Sequence, residues 1–193
     1  LVRLANGALA YVTRRMDRED GVKHMEDMCQ LTERRTERKY FGSYEQIAKC
    51  IGRYSSVPGQ DIAAFFDELL FCYLIGNSDM HLKNFSLIRE HDGEWHLSKA
   101  YDLVPVKTVM PADEDDLALT VNGKNRKLRL GDFRQAADSM RFTPVQFARS
   151  LKRVTSAVRA HLDEALARSF LSDDFKSRLG KLVAAHLKVL EGV

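Results

Sequence analysis

The sequence predicts an α+β fold that is mainly α, with a short N-terminal β segment and one or two β-hairpins. Three observations predict it. Apolar residues recur at helical spacing over residues 61–75, 144–165 and 172–190, and each stretch opens on a capping signal. Turn signals flanked by strand-like runs occur in residues 1–13, 84–98 and 117–130. Residues 76–84 set Asn77, Ser78, Asp79, His81, Lys83 and Asn84 between two hydrophobic blocks. Polar groups so close to a core are costly to desolvate without partners, and dense polar chemistry on a loop held by rigid elements is a usual form of an active site.

At 193 residues the chain can bury a sizeable core as one domain or a large subdomain. A net charge of +3 gives no strong pull towards nucleic acid or a membrane. No apolar run is long enough to span a bilayer and no signal peptide is visible, so a cytoplasmic protein is expected. Cys29, Cys50 and Cys72 sit in apolar or mixed surroundings and read as reduced, buried thiols rather than a disulfide framework. The chain starts at Leu1 within what reads as a strand, which points to a piece of a longer protein or to one half of a split one.

Taken in order, residues 1–13 form a hairpin about the Asn6-Gly7 turn. A charged segment, Arg14 to Arg18, follows. Residues 22–31 read as a helix with Met25, Met28 and Cys29 inward and with Glu26 and Asp27 mid-helix, either supporting the active site from behind or, the preferred reading, on a solvated face. The mixed charge run of residues 33–39 reads as exposed. Ser43 and Gln46 form a capping box for a helix that ends near Gly52. Residues 55–59 are a loop, and Asp61 caps the next helix, whose face of Ile62, Phe65, Phe66, Leu69, Leu70 and Tyr73 is core.

Residues 84–89 and 94–98 then read as strands about a His91-Asp92-Gly93 turn. Closure near Asp92 pairs positions that sum to about 184, so Asn84 faces residue 100 and Asp102 falls at the same end as Asn84 and Asp79. The acidic run of residues 113–116 reads as a solvated loop. A second hairpin is expected about Asn122-Gly123, with residues 127–130 returning as a strand and Lys124, Arg126, Lys127 and Arg129 as a basic cluster. Asp132 caps a helix to Met140, Thr143 and Gln146 box the next with Pro144 at its first position, and Ser172 opens the last. His186 reads as a satisfied core or boundary histidine.

Asp79 and Asn84 stand five positions apart, the D-x-x-x-x-N spacing of protein-kinase catalytic loops. There the Asp receives the substrate hydroxyl proton and the Asn holds a metal. With Asp102 brought alongside, one carboxylate, one amide oxygen and a second carboxylate meet at one point. Few, hard oxygen ligands of this kind suit Mg²⁺ carried with a nucleotide phosphate.

The run G-N-S-D-M-H-L-K-N-F-S (76–86), followed by A-Y-D-L-V-P (100–105), resembles the C-terminal domain of HipA-type serine/threonine kinases, the toxins of bacterial toxin–antitoxin pairs. Weaker similarity covers V-T-R-R-M-D-R (12–18), H-M-E-D-M-C-Q (24–30), K-Y-F-G-S-Y-E-Q (39–46) and L-A-L-T-V-N-G-K (117–124). The resemblance implies a kinase-like large lobe over residues 19–193, with residues 1–18 as the end of the small lobe and the hinge. It implies an Mg²⁺- and ATP-dependent kinase with Asp79 as catalytic residue and Asn84 and Asp102 as metal ligands. Arg14, Arg15, Met16, His81, Lys83, Asn84, Tyr101 and Asp102 would lie against ATP. The family commonly has an aromatic where Met16 stands, and Leu103-Val104-Pro105 replaces the flexible Gly that follows the metal Asp in protein kinases. Implied partners are an N-terminal kinase lobe carrying the phosphate loop, a helix-turn-helix antitoxin, DNA only through that antitoxin, and a protein substrate such as an aminoacyl-tRNA synthetase. Alternatives left open are a non-catalytic module that binds its partner through the basic hairpin, and a small-molecule phosphotransferase.

Overall fold

The structure, a computed structural model, describes residues 1–19 and 21–192. Strands β1 (Val2–Arg3) and β2 (Leu9–Ala10) form a two-stranded antiparallel ribbon. Its turn uses Gly7 at φ +84°, a conformation open to glycine at little cost. Strands β3 (Met25–Asp27), β4 (Ser86–Arg89) and β5 (Trp95–Leu97) form an antiparallel sheet in that order. Helices α1 (Met28–Leu31), α2 (Tyr44–Tyr54), α3 (Pro58–Ile75), α4 (Val106–Val109), α5 (Leu130–Ser139), α6 (Pro144–Arg168) and α7 (Asp173–Glu191) make up most of the rest.

Helix α3 is the axis of the core. Phe65, Phe66, Leu69, Leu70, Cys72, Tyr73 and Leu74 are all buried, on more than one face, which is the pattern of a helix enclosed by neighbours. Those neighbours are α2, α6, α7 and β5. Phe65 stacks edge-on against Phe85 and tilts over Tyr44, so the helix and the strand that leaves the polar loop share one aromatic cluster. Full burial of each such ring contributes roughly 2–3 kcal/mol. Cys29, Cys50 and Cys72 are free and buried. His186 bonds the Tyr73 carbonyl at 2.6 Å and stacks on the Tyr73 ring, a satisfied boundary histidine.

The β4–β5 register agrees with the sequence reading: Leu87 faces Leu97 and Ile88 faces His96. Other expectations are corrected. Residues 22–31 are not one helix, because Met25–Asp27 pair with β4 and only Met28–Leu31 coil. Asp27 ends the strand by accepting the Gln30 amide at 2.9 Å, while Gln30 accepts the Asp27 amide, so the cap sits in the middle of the expected helix. Asp61 does not cap α3, which starts at Pro58. Its carboxylate accepts from Ser55 and from the Leu97 amide, tying α3 to β5.

Ser43 caps α2 through the Gln46 amide, but Gln46 Oε1 goes to Arg34 instead of returning to the cap. Residues 117–130 carry no strand. Thr120 bridges Ser43 and Val121 bridges Lys124, and Leu130 already belongs to α5. Asp132 sits at the third position of α5 and accepts the Arg129 amide, rather than capping from the first. The caps at Thr143 and Ser172 are as expected. Among the described residues, no helix is long and apolar enough to cross a membrane.

Candidate active site

The site is delivered by the end of α3. Gly76 terminates the helix at φ +69°, with its N–H on the Tyr73 carbonyl. A Cβ there would lie 2.6 Å from Leu182 Cδ2, so no side chain fits without displacement. The Asn77 amide closes onto Cys72 O at 2.9 Å, and its side chain donates to the Asp102 carbonyl at 3.0 Å. Asn77 is 1% exposed, and this bond answers its burial. Asp102 itself holds a left-handed backbone, φ +57°, and its side chain is exposed. Asp and Asn are the non-glycine residues that enter this region most readily.

The other half of the junction is Asn84. Its Nδ2 donates to Asp102 Oδ2 at 2.5 Å and its Oδ1 accepts from the His81 amide at 3.2 Å. Asn84 is 5% exposed and fixed by the short 3₁₀ turn Leu82–Asn84 that leads into β4. Asp79 belongs to the same loop: its carbonyl accepts from the His81 amide at 2.8 Å and its amide approaches Asn77 Oδ1 at 3.4 Å. Its carboxylate accepts from the Tyr40 hydroxyl at 2.6 Å. The loop thus brings Asp79, Asn84 and Asp102 together around Asn77 and His81.

The remaining loop residues divide into struts and exposed groups. Tyr101 turns its hydroxyl inward, to Lys83 O at 2.8 Å and Ser86 Oγ at 2.6 Å, and burial pushes its phenol up to about 12. It is a strut, with only its ring left to meet a ligand. Lys83 Nζ pairs with Asp27 Oδ2 at 3.0 Å, and Asp27 raises the Lys83 pKa. Asp27 therefore supports the loop instead of facing solvent. His81 is 6% exposed, and burial, with Lys39 nearby, lowers its pKa. It is a poor cation at neutral pH. Ser78 bonds Asp113 at 2.5 Å, so the acidic run is tied to the loop rather than free.

Arg14 and Arg15 are exposed and Met16 is half-buried. Arg15 is held by Asp17 through Nε and Nη2, and Met16 opens a 3₁₀ turn. Among the described residues no hydrogen bond joins these three to the loop; the segment is linked to its rim by Glu19, which bonds Lys99 at 2.7 Å. Two of the four residues of the expected basic cluster are paired within the chain. Lys124 pairs with Asp132 at 2.8 Å, and Arg126 pairs with Glu114 and Asp115. Lys127 and Arg129, the other two, are exposed.

The donor set fits a magnesium ion brought by phosphate. Among the described residues, no three His, Cys, Asp or Glu side chains converge to form a cage of their own. The Asp102 carboxylate and the Asn84 side-chain amide are in contact, and Asn84 Oδ1, which accepts one hydrogen bond from the His81 amide, keeps a second lone pair, so two hard oxygen donors stand on adjacent side chains. Mg²⁺ dehydrates reluctantly and is commonly held by one or two protein oxygens plus substrate phosphates, which matches this sparse set.

Tyr40, on Asp79, escaped the sequence reading, and Asn77, which clamps Asp102, was read as a polar group of the loop without a role. Asn77 had the signal of a polar residue directly behind an apolar helix. Tyr40 had none beyond lying in the 39–46 segment of weaker family similarity.

The family model described as the HipA-like C-terminal domain matches residues 1–162. Among curated proteins, Y4dM of Sinorhizobium fredii, provisionally named a kinase, is 36% identical over 121 residues, covering 62% of this chain and 29% of that protein. Among solved structures, HipA of Shewanella oneidensis MR-1, in a complex with HipB and operator DNA, matches with a TM-score of 0.72 at 20% identity, over 93% of this chain and 46% of that one. The Helicobacter pylori proinflammatory kinase CtkA matches with a TM-score of 0.50 at 14% identity, over 86% of this chain and 68% of that one. Both structural likenesses show a shared fold. The match spans under a third of Y4dM and under half of HipA.

Proposed function

Since the chain belongs to the HipA-like C-terminal domain family, we propose that it is the catalytic lobe of an Mg²⁺- and ATP-dependent kinase acting on serine or threonine of a protein. The observation that carries this reading is the junction of Asn84 and Asp102 at 2.5 Å, with Asp102 clamped by Asn77 and Asp79 on the same loop. In phosphoryl transfer there is little covalent chemistry for the protein to do, and positioning with charge neutralisation supplies most of the rate.

Each residue then has a task. Asp79 orients the acceptor hydroxyl and takes its proton. Asn84 and Asp102 would hold Mg²⁺, which offsets phosphate charge when bound. Asn77 fixes the Asp102 backbone, and Tyr101 braces the loop through Lys83 O and Ser86. Lys83, released from Asp27, would add positive charge beside the phosphates; His81 and the Tyr101 ring would border the nucleotide. Arg14, Arg15 and Met16 would sit on the hinge side, with residues 1–18 closing the small lobe and residues 19–193 forming the large one.

The phosphate loop and strand lysine of a kinase would come from an N-terminal lobe, in the same parent chain or a separate subunit. The complex of HipA with HipB and operator DNA supports a helix-turn-helix antitoxin as a further partner, with DNA reached through it. An aminoacyl-tRNA synthetase is the protein substrate this family membership suggests. The test is transfer of radiolabelled γ-phosphate to protein, with that lobe supplied. Wild type should label an acceptor on serine or threonine, and Asp79→Asn should lose at least about a hundredfold in rate. Equal labelling by the two would remove Asp79 from the chemistry.

A further inference from the structure

One contact at the site is unused by the roles above. Tyr40 stands on the segment after the 3₁₀ turn Thr36–Arg38, far from Asp79 in sequence, yet its hydroxyl donates to Asp79 Oδ1 at 2.6 Å. We propose that Tyr40 is a positioning residue for phosphoryl transfer: it holds one carboxylate oxygen of Asp79 and so presents the other to the hydroxyl of the acceptor. The proposal rests on the kinase reading and deepens it.

The contact is built, not incidental. The Leu82 amide donates to Lys39 O at 3.1 Å, which pins the Tyr40 segment to the backbone of the loop that carries Asp79. The Tyr40 ring meets His81 edge-on, with centroids 5.0 Å apart at 80°. Lys39 Nζ lies 4.9 Å over the ring. One face of the phenol remains at the surface, 47% exposed, so the tyrosine lines the mouth and is not a core residue. Partial burial and then the Asp79 bond push the phenol up to about 12, so it is a hydrogen donor throughout the neutral range.

Among the described residues, Asp79 Oδ2 receives no hydrogen bond. A carboxylate turns about its terminal torsion with little preference. A strong single donor on Oδ1 breaks that symmetry and leaves Oδ2 as the open acceptor. In the transfer step, the acceptor O–H proton passes to Asp79 Oδ2 as its oxygen bonds to the terminal phosphorus of a nucleoside triphosphate. The bond from that phosphorus to the bridging oxygen breaks, and the nucleoside diphosphate leaves with the electron pair. Misplacement by about 1 Å is enough to cost up to a hundredfold in such a step.

The experiment is a double-mutant cycle on transfer of γ-phosphate from Mg·ATP to dephosphorylated casein, in the parent protein that supplies the nucleotide-binding lobe. Tyr40→Phe should lower kcat about tenfold and leave KM for ATP unchanged. Asp79→Ala should lower kcat further, and adding Tyr40→Phe to it should change nothing more. Thermal melting of each variant separates loss of fold from loss of positioning. An unchanged kcat in Tyr40→Phe, additive losses in the double variant, or phosphate found on Tyr40 itself would each overturn the assignment. A silent wild type would overturn the kinase reading instead, and with it the role given to Tyr40, which keeps the two failures distinct.

Discussion

Gly76→Ala tests how α3 delivers the site. The residue has φ +69° and its added Cβ would meet Leu182 Cδ2 at 2.6 Å and Lys107 Cβ at 3.2 Å. Two costs add. A left-handed conformation costs an alanine about 1–2 kcal/mol. Overpacking against α7 and α4 adds about 1–3 kcal/mol, towards the lower end because the Leu182 side chain is only partly buried and can turn. The total, about 2–4 kcal/mol, lowers the melting temperature of a chain this size by roughly 5–15 °C.

Gly123→Ala is the internal comparison. Gly123 has φ +74° and nothing within 4 Å of its added Cβ, so it carries the backbone cost alone, about 1–2 kcal/mol. Urea and thermal unfolding followed by circular dichroism give both values. If Gly76→Ala costs no more than Gly123→Ala, the close approach of Leu182 and Lys107 plays no part in fixing the end of α3.

Two more substitutions probe the supports of the site. Tyr101→Phe leaves the buried Lys83 carbonyl and Ser86 hydroxyl without their shared partner and should cost about 1–3 kcal/mol in chemical unfolding; a cost near zero would mean Tyr101 is no strut. Glu68 is held by burial at a pKa of about 8, against an ordinary 4.5, and its Oε1 has no partner among the described residues. The unfolded chain sheds this proton near the ordinary value while the native chain keeps it to about 8, so wild-type stability should fall with rising pH across that window. Glu68→Gln should flatten that slope and be the more stable form at pH 8; parallel stability curves would contradict it.

What the sequence revealed followed from strong, local signals. The β4–β5 register came from one turn and strict pairing, and it was enough to bring Asp102 to Asn84. The caps at Thr143 and Ser172 are short-range chemistry and were legible for that reason. Residues 22–31 misled because Met25, Met28 and Cys29 fall at helical spacing while Met25 is in fact paired with Ile88, a long-range contact. The Asp27 and Gln30 pair carried the missing cue, a capping box in the middle of the run.

Pro58 likewise marked the true start of α3, with Asp61 freed to reach Leu97. The Asn122-Gly123 turn closes as expected, with Val121 and Lys124 paired across it, but the returning strand at 127–130 does not form and Leu130 belongs to α5. Tyr40 was invisible because its role depends on a contact 39 positions away, which no local pattern records.

The central claim is that Asn84 and Asp102 form the metal end of a nucleotide site. The most direct measurement is isothermal titration of Mg·ATP into the chain joined to its nucleotide-binding lobe, in wild type and in Asp102→Asn. Asparagine tolerates the left-handed backbone at φ +57°, so the fold should persist while the carboxylate is lost. Metal-dependent binding in wild type that falls at least about tenfold in the variant, with the melting temperature unchanged, is the predicted result. Equal binding by the two folded proteins would contradict the account.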